Sequence, residues 1–245
     1  MQLKKFQDYT ALSTAAAAMI IECVRKKPGA LLCFATGDTP RLTYQLVAEI
    51  AKKEEVDFGN CFFIGLDEWL GIPPDNTGSC HHFLHQYLFI PLGIHPSQFQ
   101  LFDGLTTNED GECERMNRLI EKKGNIDFMV AGVGMNGHIG FNEPGTDMNS
   151  MAHVAVLDET TRHVGKKYFQ DEVPISKGIT LGLKQVLQAE TLLMLANGLK
   201  KAPVIKRTLE EEISNSFPAS LIQQHKNGIL MIDTEAASEL ETAQK

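Results

Sequence analysis

The sequence predicts an α/β fold in which an open, mostly parallel β-sheet carries helices on both faces. Short apolar runs alternate with amphipathic helical segments along the chain, an order typical of right-handed β-α-β units. The runs are continuously apolar, as in strands that are buried on both faces. Of the 245 residues, 43% are apolar and 22% are charged, which is enough for a sizeable core. Because the chain has no repeat and no linker-like stretch, we expect one Rossmann-like domain over residues 1–245.

The first half of the chain contains a clear alternation of elements. The predicted helices cover 9–27, 41–55, 79–89 and 112–124, and the predicted strands cover 30–35, 61–66 and the short 99–104. Pro28 and Gly29 end the first helix, and Pro40 suits the first position of the second.

The second half continues the pattern with strands at 126–134, 190–198 and 228–233 and a helix at 199–213. In open parallel sheets, ligands bind at the carboxyl ends of the strands. A functional site is therefore expected among the residues that follow the strands.

Composition and charge exclude several classes of function. The net charge of −8 argues against nucleic acid or an anionic membrane as partner. The first twenty residues do not have the organisation of a signal peptide, and no apolar run approaches the roughly 20 residues of a membrane span. The cysteines are scattered and never in C-x-x-C spacing: Cys23, Cys33, Cys61, Cys80 and Cys113. These observations favour a cytoplasmic protein.

The loop after the first strand reads "FATGDTPRLTY". Thr36, Gly37 and Thr39 lie between a strand and a helix N-terminus, where free backbone N–H groups and the helix dipole favour an anion such as phosphate. The loop lacks the G-K-[ST] of a Walker motif. The alternative is a plain turn with Thr39 as the N-cap residue, and the carboxylate of Asp38 argues against phosphate unless it points away.

The second strand ends in "GLDEWLGIP", which carries two adjacent carboxylates. Asp67 and Glu68 point to opposite sides of an extended chain, so we expect one to enter a site and the other to face solvent or an ion pair. A carboxyl group desolvated at a strand end can act as a general base. The alternative is a pair of turn or capping acids.

The stretch "GVGMNGHIGFNEPG" at 132–145 fits two interpretations. Gly132, Gly134 and Gly137 match the dinucleotide fingerprint, but that fingerprint must open a helix, and the Pro144–Gly145 segment shows no helical period. A dinucleotide cofactor is therefore not expected.

What remains in this stretch is a glycine-rich loop that lets the backbone approach a ligand closely. His138 can move a proton near neutral pH, and Glu143 can orient its ring. The alternative is a hydrogen-bonded histidine with a structural role only.

Two further patterns are weaker. His81 and His85 share one helix face and could bind a metal, but no third ligand is nearby in the sequence. The pairs Lys166–Lys167 and Lys200–Lys201 lie near helix starts and could neutralise a phosphate, although such lysines are usually solvated.

These motifs together resemble the glucosamine-6-phosphate deaminase/isomerase family. The segments that carry the resemblance are "FATGDTPRLTY", "GLDEWLGIP", "GVGMNGHIGFNEPG" and "GLKKA", in that order, and they cover most of the chain. The segments "TGSCHHFL", "ISKGITLGLKQVL" and "FPASL" resemble the galactosamine-6-phosphate isomerase branch of this family. Related 6-phosphogluconate lactonases usually continue the histidine loop with S-L-F-P, where this chain has "GFNEPG".

The resemblance implies a role for each matching residue. Asp67 corresponds to the base that moves a proton between C2 and C1, His138 to the residue that opens the sugar ring, and Glu143 to the carboxylate that tunes this histidine. Asn136 stands where the family often has Asp, so the relay is expected to depend on Glu143 alone. The residues implied in binding the substrate and its phosphate are Thr36, Gly37, Asp38, Thr39, Gly134, Gly137, Lys167 and Lys201. Lys167 stands where relatives have a phosphate-binding arginine.

The resemblance thus implies a sugar-phosphate isomerase/deaminase that needs neither metal nor organic cofactor. The expected substrate is an amino-hexose 6-phosphate, with galactosamine 6-phosphate first and glucosamine 6-phosphate as the alternative. A lactonase-like hydrolase and a non-catalytic sugar-phosphate sensor are further alternatives. The sequence leaves the oligomeric state open, a homo-oligomer included.

The resemblance also bears on regulation. In family members that an acetylated sugar phosphate activates, the segment after the N-E-P motif carries Arg and Lys residues. Here residues 145–161 contain neither Arg nor Lys. We therefore expect no activation of this kind.

Overall fold

Seven parallel strands form the central sheet of the computed structural model, which describes residues 1–171 and 173–240. The strands are β1 (Gln2–Phe6), β2 (Leu31–Phe34), β3 (Phe62–Gly65), β4 (Asp67–Trp69), β5 (Phe99–Gln100), β6 (Phe128–Gly132), β7 (His153–Val156), β8 (Lys177–Thr180), β9 (Thr191–Ala196) and β10 (Gly228–Asp233). The order in the central sheet is β1-β10-β9-β6-β2-β3-β5, and β4, β8 and β7 form a second, antiparallel sheet.

Helices cover both faces of the central sheet. They are α1 (Tyr9–Lys26), α2 (Asp38–Lys53), α3 (Cys80–Leu84), α4 (Ile90–Leu92), α5 (Glu109–Lys123), α6 (Glu159–Gly165), α7 (Leu183–Gln188) and α8 (Ala202–Glu210). Single turns of 3₁₀ helix lie at Pro96–Gln98, Lys166–Tyr168 and Leu199–Lys201, and a longer one at Pro218–Gln224.

The position of strand β2 between two helical layers explains why its sequence is continuously apolar. Leu31 and Cys33 belong to the apolar cluster on the side of α5 and α8, whereas Leu32 and Phe34 belong to the cluster on the side of α1 and α2. Successive side chains point to opposite faces of a strand, and here both faces are covered. The predicted fold class is therefore confirmed, with the parallel sheet enclosed between two helical layers.

The small antiparallel sheet positions one strand end of the central sheet. After β3 the chain passes through Leu66, whose backbone N–H donates to the oxygen of Phe34 at 3.1 Å, and enters β4 directly. In β4, Asp67 pairs with Thr180 of β8. This pairing fixes the backbone of Asp67 at the carboxyl edge of the parallel sheet.

Several element predictions were wrong or incomplete. Residues 2–6 form a parallel strand with β10, which the prediction did not include. The predicted helix 79–89 is α3 followed by a π-helical turn over His85–Phe89. Helix α2 begins at Asp38 with Gly37 before it, so Thr39 is not its N-cap residue.

No helix in the described ranges 1–171 and 173–240 is long and apolar enough to cross a membrane. The last residues of the predicted domain, 241–245, lie outside the described residues.

Candidate active site

A cleft of about 590 Å³ opens at the carboxyl ends of the central strands. It is lined by nine of the twelve residues that the sequence pointed to: Thr36, Gly37, Asp38, Thr39, Asp67, Gly134, His138, Lys167 and Lys201. The other three residues, Asn136, Gly137 and Glu143, do not line it. The parallel sheet therefore brings the ends of four strands, β2, β3, β6 and β9, to one cleft, at the edge where such folds bind ligands.

Asp67 lies half-buried in this cleft. Burial raises the pKa of its carboxyl group to about 6, and the positive charge of His138 and a hydrogen bond from the Cys80 thiol partly offset that effect. A carboxyl group with such a pKa is ionised at neutral pH but readily accepts a proton, as a general base must.

Glu68 does not face solvent or an ion pair, so that part of the prediction was wrong. Its side chain is buried, with 2% of its surface exposed. The carboxylate accepts hydrogen bonds from the backbone N–H groups of Trp69 and Cys80, both at 2.9 Å, and of His81 at 2.8 Å. Burial raises the pKa of Glu68 to about 7 despite these bonds. Glu68 thus ties the N-terminus of α3 to β4.

Two positions in the loop after β6 require glycine for specific structural reasons. A side-chain carbon at Gly134 would overlap the imidazole ring of His138, so the ring lies directly against the backbone there. The N–H of Gly134 donates to the oxygen of His138 at 2.9 Å and closes the loop. Gly137 has a φ of +84°, which favours glycine, and it packs against Phe217 away from the cleft.

The nearest hydrogen-bond partner of the His138 ring is Thr161, a residue that the sequence did not reveal. The Thr161 hydroxyl lies 3.0 Å from Nδ1 of His138, whereas Oε2 of Glu143 lies 3.6 Å from the same nitrogen. Asn136 donates to that Glu143 oxygen at 2.8 Å. Glu143 therefore does not orient the ring alone, because Thr161 shares this contact and Asn136 fixes the carboxylate.

Glu143 is held in its ionised form. Burial acts to raise the pKa of its carboxyl group, but hydrogen bonds and positive charge from His138, together with the Thr161 and Asn136 side chains, bring the pKa below its usual value. The backbone N–H of Asp158 adds a further hydrogen bond at 3.2 Å. The ionised carboxylate therefore lies 3.6 Å from Nδ1 of His138.

The loop after β2 offers its backbone to the cleft. Gly37 has a φ of +115° and precedes the first turn of α2. The hydroxyl of Thr39 donates to Asn197 at 2.7 Å, and that of Thr36 donates to the sulfur of Cys80 at 3.1 Å. Both hydroxyls have partners within the protein, and the N–H groups at the start of α2 are suited to an anion.

Asp38 is paired with two cations. Its Oδ2 lies 2.7 Å from Nζ of Lys167, and its Oδ1 lies 2.8 Å from a guanidinium nitrogen of Arg41. Arg41 also packs over the ring of Tyr87, 5.3 Å from its centroid. Sequence reasoning missed Arg41, although its i,i+3 spacing from Asp38 at a helix start was a usable signal. The group carries a net positive charge at the mouth of the cleft.

Lys201 reaches the cleft from the turn after β9. Its ammonium group donates to the backbone oxygen of Val133. Burial, together with the nearby charge of Lys167, lowers the pKa of Lys201 to about 8. Of the two lysine pairs in the sequence, one member of each therefore lines the cleft, and Lys166 and Lys200 are exposed.

The histidine pair on the helix beside the cleft does not form a metal site. The rings of His81 and His85 stack with centroids 4.6 Å apart, and burial lowers the pKa of His81 to about 4. Within residues 1–171 and 173–240 no three metal-ligating side chains are grouped.

Comparison with known proteins identifies the family. The model of the family of glucosamine-6-phosphate isomerases and 6-phosphogluconolactonases matches residues 7–231. The chain belongs to this family.

Relatives in this family cover nearly the whole chain. A glucosamine-6-phosphate deaminase of Bacillus pumilus is 39% identical over 240 residues, which are 97% of this chain and 99% of the relative. A putative deaminase, AgaI, of Escherichia coli is 39% identical over 238 residues, 95% of this chain and 92% of the relative.

Solved structures of family members have the same fold. A monomeric glucosamine-6-phosphate deaminase superposes with a TM-score of 0.95 at 35% identity and covers 98% of this chain and 100% of its own. A 6-phosphogluconolactonase of Trypanosoma brucei superposes with a TM-score of 0.79 at 19% identity, covering 98% of each chain, and shares the fold alone.

Proposed function

We infer that the chain is an amino-hexose-6-phosphate deaminase/isomerase, and we propose galactosamine 6-phosphate as its preferred substrate. The products are a ketose 6-phosphate and ammonia. One observation carries the proposal: Asp67, with its raised pKa, and His138 line the same cleft as Lys167 and Lys201. A base, a proton-transferring imidazole and cations for a phosphate are the groups that this reaction needs.

Ring opening is assigned to His138. The closed sugar opens when the anomeric hydroxyl loses a proton and the ring oxygen gains one, which yields the open-chain aldehyde. An imidazole can perform both transfers near neutral pH. Thr161 and Glu143 hold the Nδ1 side of the ring, so that its other nitrogen can face the sugar.

Isomerisation is assigned to Asp67. The carboxylate removes the proton from C2, the aldehyde oxygen on C1 takes a proton from the imidazolium of His138, and an enolamine forms between C1 and C2. The same carboxyl group then returns the proton to C1 while the amino group on C2 gives a proton back to the imidazole, which leaves an imine at C2. Water adds to the imine, ammonia departs, and the ketose 6-phosphate remains. Positioned acid–base groups contribute about 10²–10⁴-fold to such steps, and no metal is required.

The phosphate is assigned to the loop at 36–39, with Lys201 and Lys167 as counter-ions. The carboxylate of Asp38 alone would repel a phosphate, but it is paired with both Lys167 and Arg41. Arg41 also offers a guanidinium group, which binds phosphate through two donors, where Lys167 offers a point charge. This arrangement supports phosphate binding despite the acidic residue in the loop.

Two observations bear on the configuration of the sugar. The motifs "FATGDTPRLTY" and "TGSCHHFL" resemble the galactosamine-6-phosphate isomerase branch. Glucosamine 6-phosphate is the second candidate, because relatives of equal similarity carry the name glucosamine-6-phosphate deaminase. The difference between the sugars is the orientation of one hydroxyl group, so it is decided by kinetics.

The test is ammonia release from galactosamine 6-phosphate and glucosamine 6-phosphate, measured side by side on the same preparation. We expect both to react, with kcat/KM at least about tenfold higher for the galacto sugar, the effect of one well-placed hydrogen bond. Asp67→Asn serves as the inactive control. A higher kcat/KM for the gluco sugar would overturn the choice of substrate. No ammonia from either sugar, with hydrolysis of 6-phosphogluconolactone, would overturn the reaction itself.

A further inference from the structure

Cys80 lies in the cleft but has no part in the reaction described above. It is the first residue of α3, and 4% of its surface is exposed. Its sulfur lies 3.1 Å from the hydroxyl oxygen of Thr36 and 3.7 Å from Oδ1 of Asp67. Cys80 therefore joins the end of β2 to the proposed base.

The direction of these two hydrogen bonds follows from the groups involved. A thiol has one proton, and the ionised carboxylate of Asp67 can only accept. The thiol proton therefore goes to Asp67, and the sulfur accepts the proton of Thr36. Burial and the neighbouring carboxylates of Glu68 and Asp67 raise the pKa of the Cys80 thiol well above its usual value. The thiol thus remains a donor throughout the pH range in which the enzyme would work.

The position of the thiol is fixed from behind by the residue next to the base. Glu68 accepts hydrogen bonds from the backbone N–H groups of Cys80 and His81, and the hydroxyl of Ser79 caps the same helix. Because Asp67 and Glu68 are adjacent in β4, one short strand holds both the base and the helix that carries its hydrogen-bond donor.

We propose that Cys80 is a positioning residue for Asp67: its thiol engages Oδ1, orients the carboxylate and favours the ionised form. The second oxygen of the carboxylate then remains for the proton of the substrate. The proposal rests on the proposed function for the role of Asp67 as base, but the contact between thiol and carboxylate is testable without any substrate.

The experiment measures the ionisation of Asp67 directly. The carboxyl carbons of aspartate are labelled with ¹³C, the Asp67 signal is assigned with Asp67→Asn, and the substrate-free protein is titrated by NMR. In Cys80→Ala we expect the Asp67 pKa to rise by about half a unit, as for loss of a weak donor to a charged group. Cys80→Ser keeps a donor and should restore the pKa toward that of the unaltered protein.

A second variant distinguishes loss of the hydrogen-bond donor from a defect in folding or packing. Cys80→Val removes the donor but nearly preserves the side-chain volume, and it should shift the Asp67 pKa in the same direction as Cys80→Ala. The acidic limb of kcat/KM for ammonia release should move by the same amount, with KM changed less than twofold. A general structural defect would lower activity at all pH values and leave the limb in place.

The outcomes separate this inference from the proposed function. An Asp67 pKa equal in the unaltered protein, Cys80→Ala and Cys80→Val would overturn the role of Cys80 even if ammonia is released normally. A shifted Asp67 pKa in a protein that releases no ammonia would support the thiol–carboxylate contact and overturn the proposed reaction.

Discussion

The carboxyl group of Asp67 must be ionised to accept a proton, and its burial opposes that ionisation. Its pKa is raised from 3.8 to about 6. Because the pKa of Asp67 is higher in the folded state than in the unfolded chain, the folded state binds the proton of this carboxyl group more tightly. The resulting stabilisation is complete below about pH 4 and is lost as the pH rises through 6. At pH 8 the ionised group costs the folded state about 3 kcal/mol.

Replacing Asp67 should therefore stabilise the protein at alkaline pH. Asp67→Asn removes the buried charge, and we expect the free energy of unfolding in urea at pH 8 to increase by about 2 kcal/mol. The increase should shrink as the pH falls toward 5, where the carboxyl group is already largely protonated. Asp75→Asn, at an exposed aspartate, is the matched control and should have no effect. A destabilised Asp67→Asn at pH 8 would contradict this account.

The same variant should lose activity without losing its ligand. An amide cannot accept the C2 proton but keeps the shape of the carboxyl group, so we expect turnover to fall at least about 10³-fold while a bound sugar phosphate keeps its Kd within a few-fold. In the unaltered enzyme kcat/KM should fall below about pH 6, as Asp67 becomes protonated. Stopped assays and isothermal titration give both quantities. Turnover within a few-fold of the unaltered enzyme would exclude Asp67 as the base.

His138 should matter most for the closed sugar. We expect His138→Gln to reduce turnover of the cyclic substrate about 10²-fold or more, and to reduce exchange of the C2 proton in an open-chain analogue far less. Thr161→Val, which removes the hydroxyl at Nδ1, should show the same pattern with smaller losses. Equal losses in the two assays would assign His138 to proton transfer or to the fold instead.

The site residues that could be predicted from the sequence and those that could not differ in their position relative to the strands. Asp67 directly follows an apolar strand, and His138 lies in the loop after another, so their place at the sheet edge could be predicted. Thr161 and Cys80 reach the cleft from α6 and α3, and only the packing of those helices brings them to His138 and Asp67. Cys80 lies within the segment "TGSCHHFL", but nothing in that segment or around Thr161 indicates a contact with Asp67 or His138.

At the scale of elements, the loop after β6 holds the imidazole through its backbone conformation. Gly137 and Gly145 both have positive φ, +84° and +92°. A side chain at Gly137 would also overlap Phe217, whereas nothing lies within 4 Å of one at Gly145. Substitutions at these two positions therefore distinguish the effect of backbone strain from that of steric overlap.

Alanine substitutions at the two glycines should differ accordingly. We expect Gly145→Ala to lower the free energy of unfolding by about 1 kcal/mol through backbone strain alone. Gly137→Ala should lower it by about 2 kcal/mol more than Gly145→Ala does, because Phe217 must move. Gly137→Ala should also reduce turnover, since the loop carries His138. Urea unfolding and ammonia release measure the two effects. Equal destabilisation by both substitutions would mean that Phe217 does not restrict the loop.

Six of the seven parallel strands could be predicted, whereas β1 and the antiparallel sheet could not, and the antiparallel sheet was missed for a physical reason. Strand β2 is apolar throughout, and β9 is apolar after Thr191, because both faces are covered. Strand β7 leaves Val156 77% exposed, β8 begins at the exposed Lys177, and β4 is three residues long. Such short strands with mixed polarity have no distinctive period, and only their pairing partners define them.

At the scale of the whole molecule, the surface charge bears on regulation. The net charge is −8, and residues 145–161 contain no Arg or Lys. Asp158 in this segment caps α6 by accepting the N–H of Thr160 at 2.8 Å, so it is fixed near the segment as a negative charge. A phosphate effector needs a firm cation to offset its desolvation.

We therefore expect hyperbolic kinetics and no activation by N-acetylated hexosamine 6-phosphates. Initial rates are measured against the amino-sugar phosphate, with and without the acetylated compound, at constant ionic strength. N-acetylglucosamine without phosphate is the control for effects of the sugar alone. Sigmoidal curves that become hyperbolic when the acetylated phosphate is added would contradict the expectation.

The pairing of β1 with β10 has a consequence for biosynthesis. Residues 2–6 leave the ribosome before the other strands of the sheet, yet their partner, residues 228–233, is the last of these strands to emerge. Strand β1, at the edge of the sheet, therefore remains unpaired until almost the whole domain has been translated. Its neighbour α1 packs on the same sheet from the start of the chain, and its buried face is apolar. Chains that stall before β10 would expose that face and a free strand edge together, which makes them natural targets for nascent-chain chaperones.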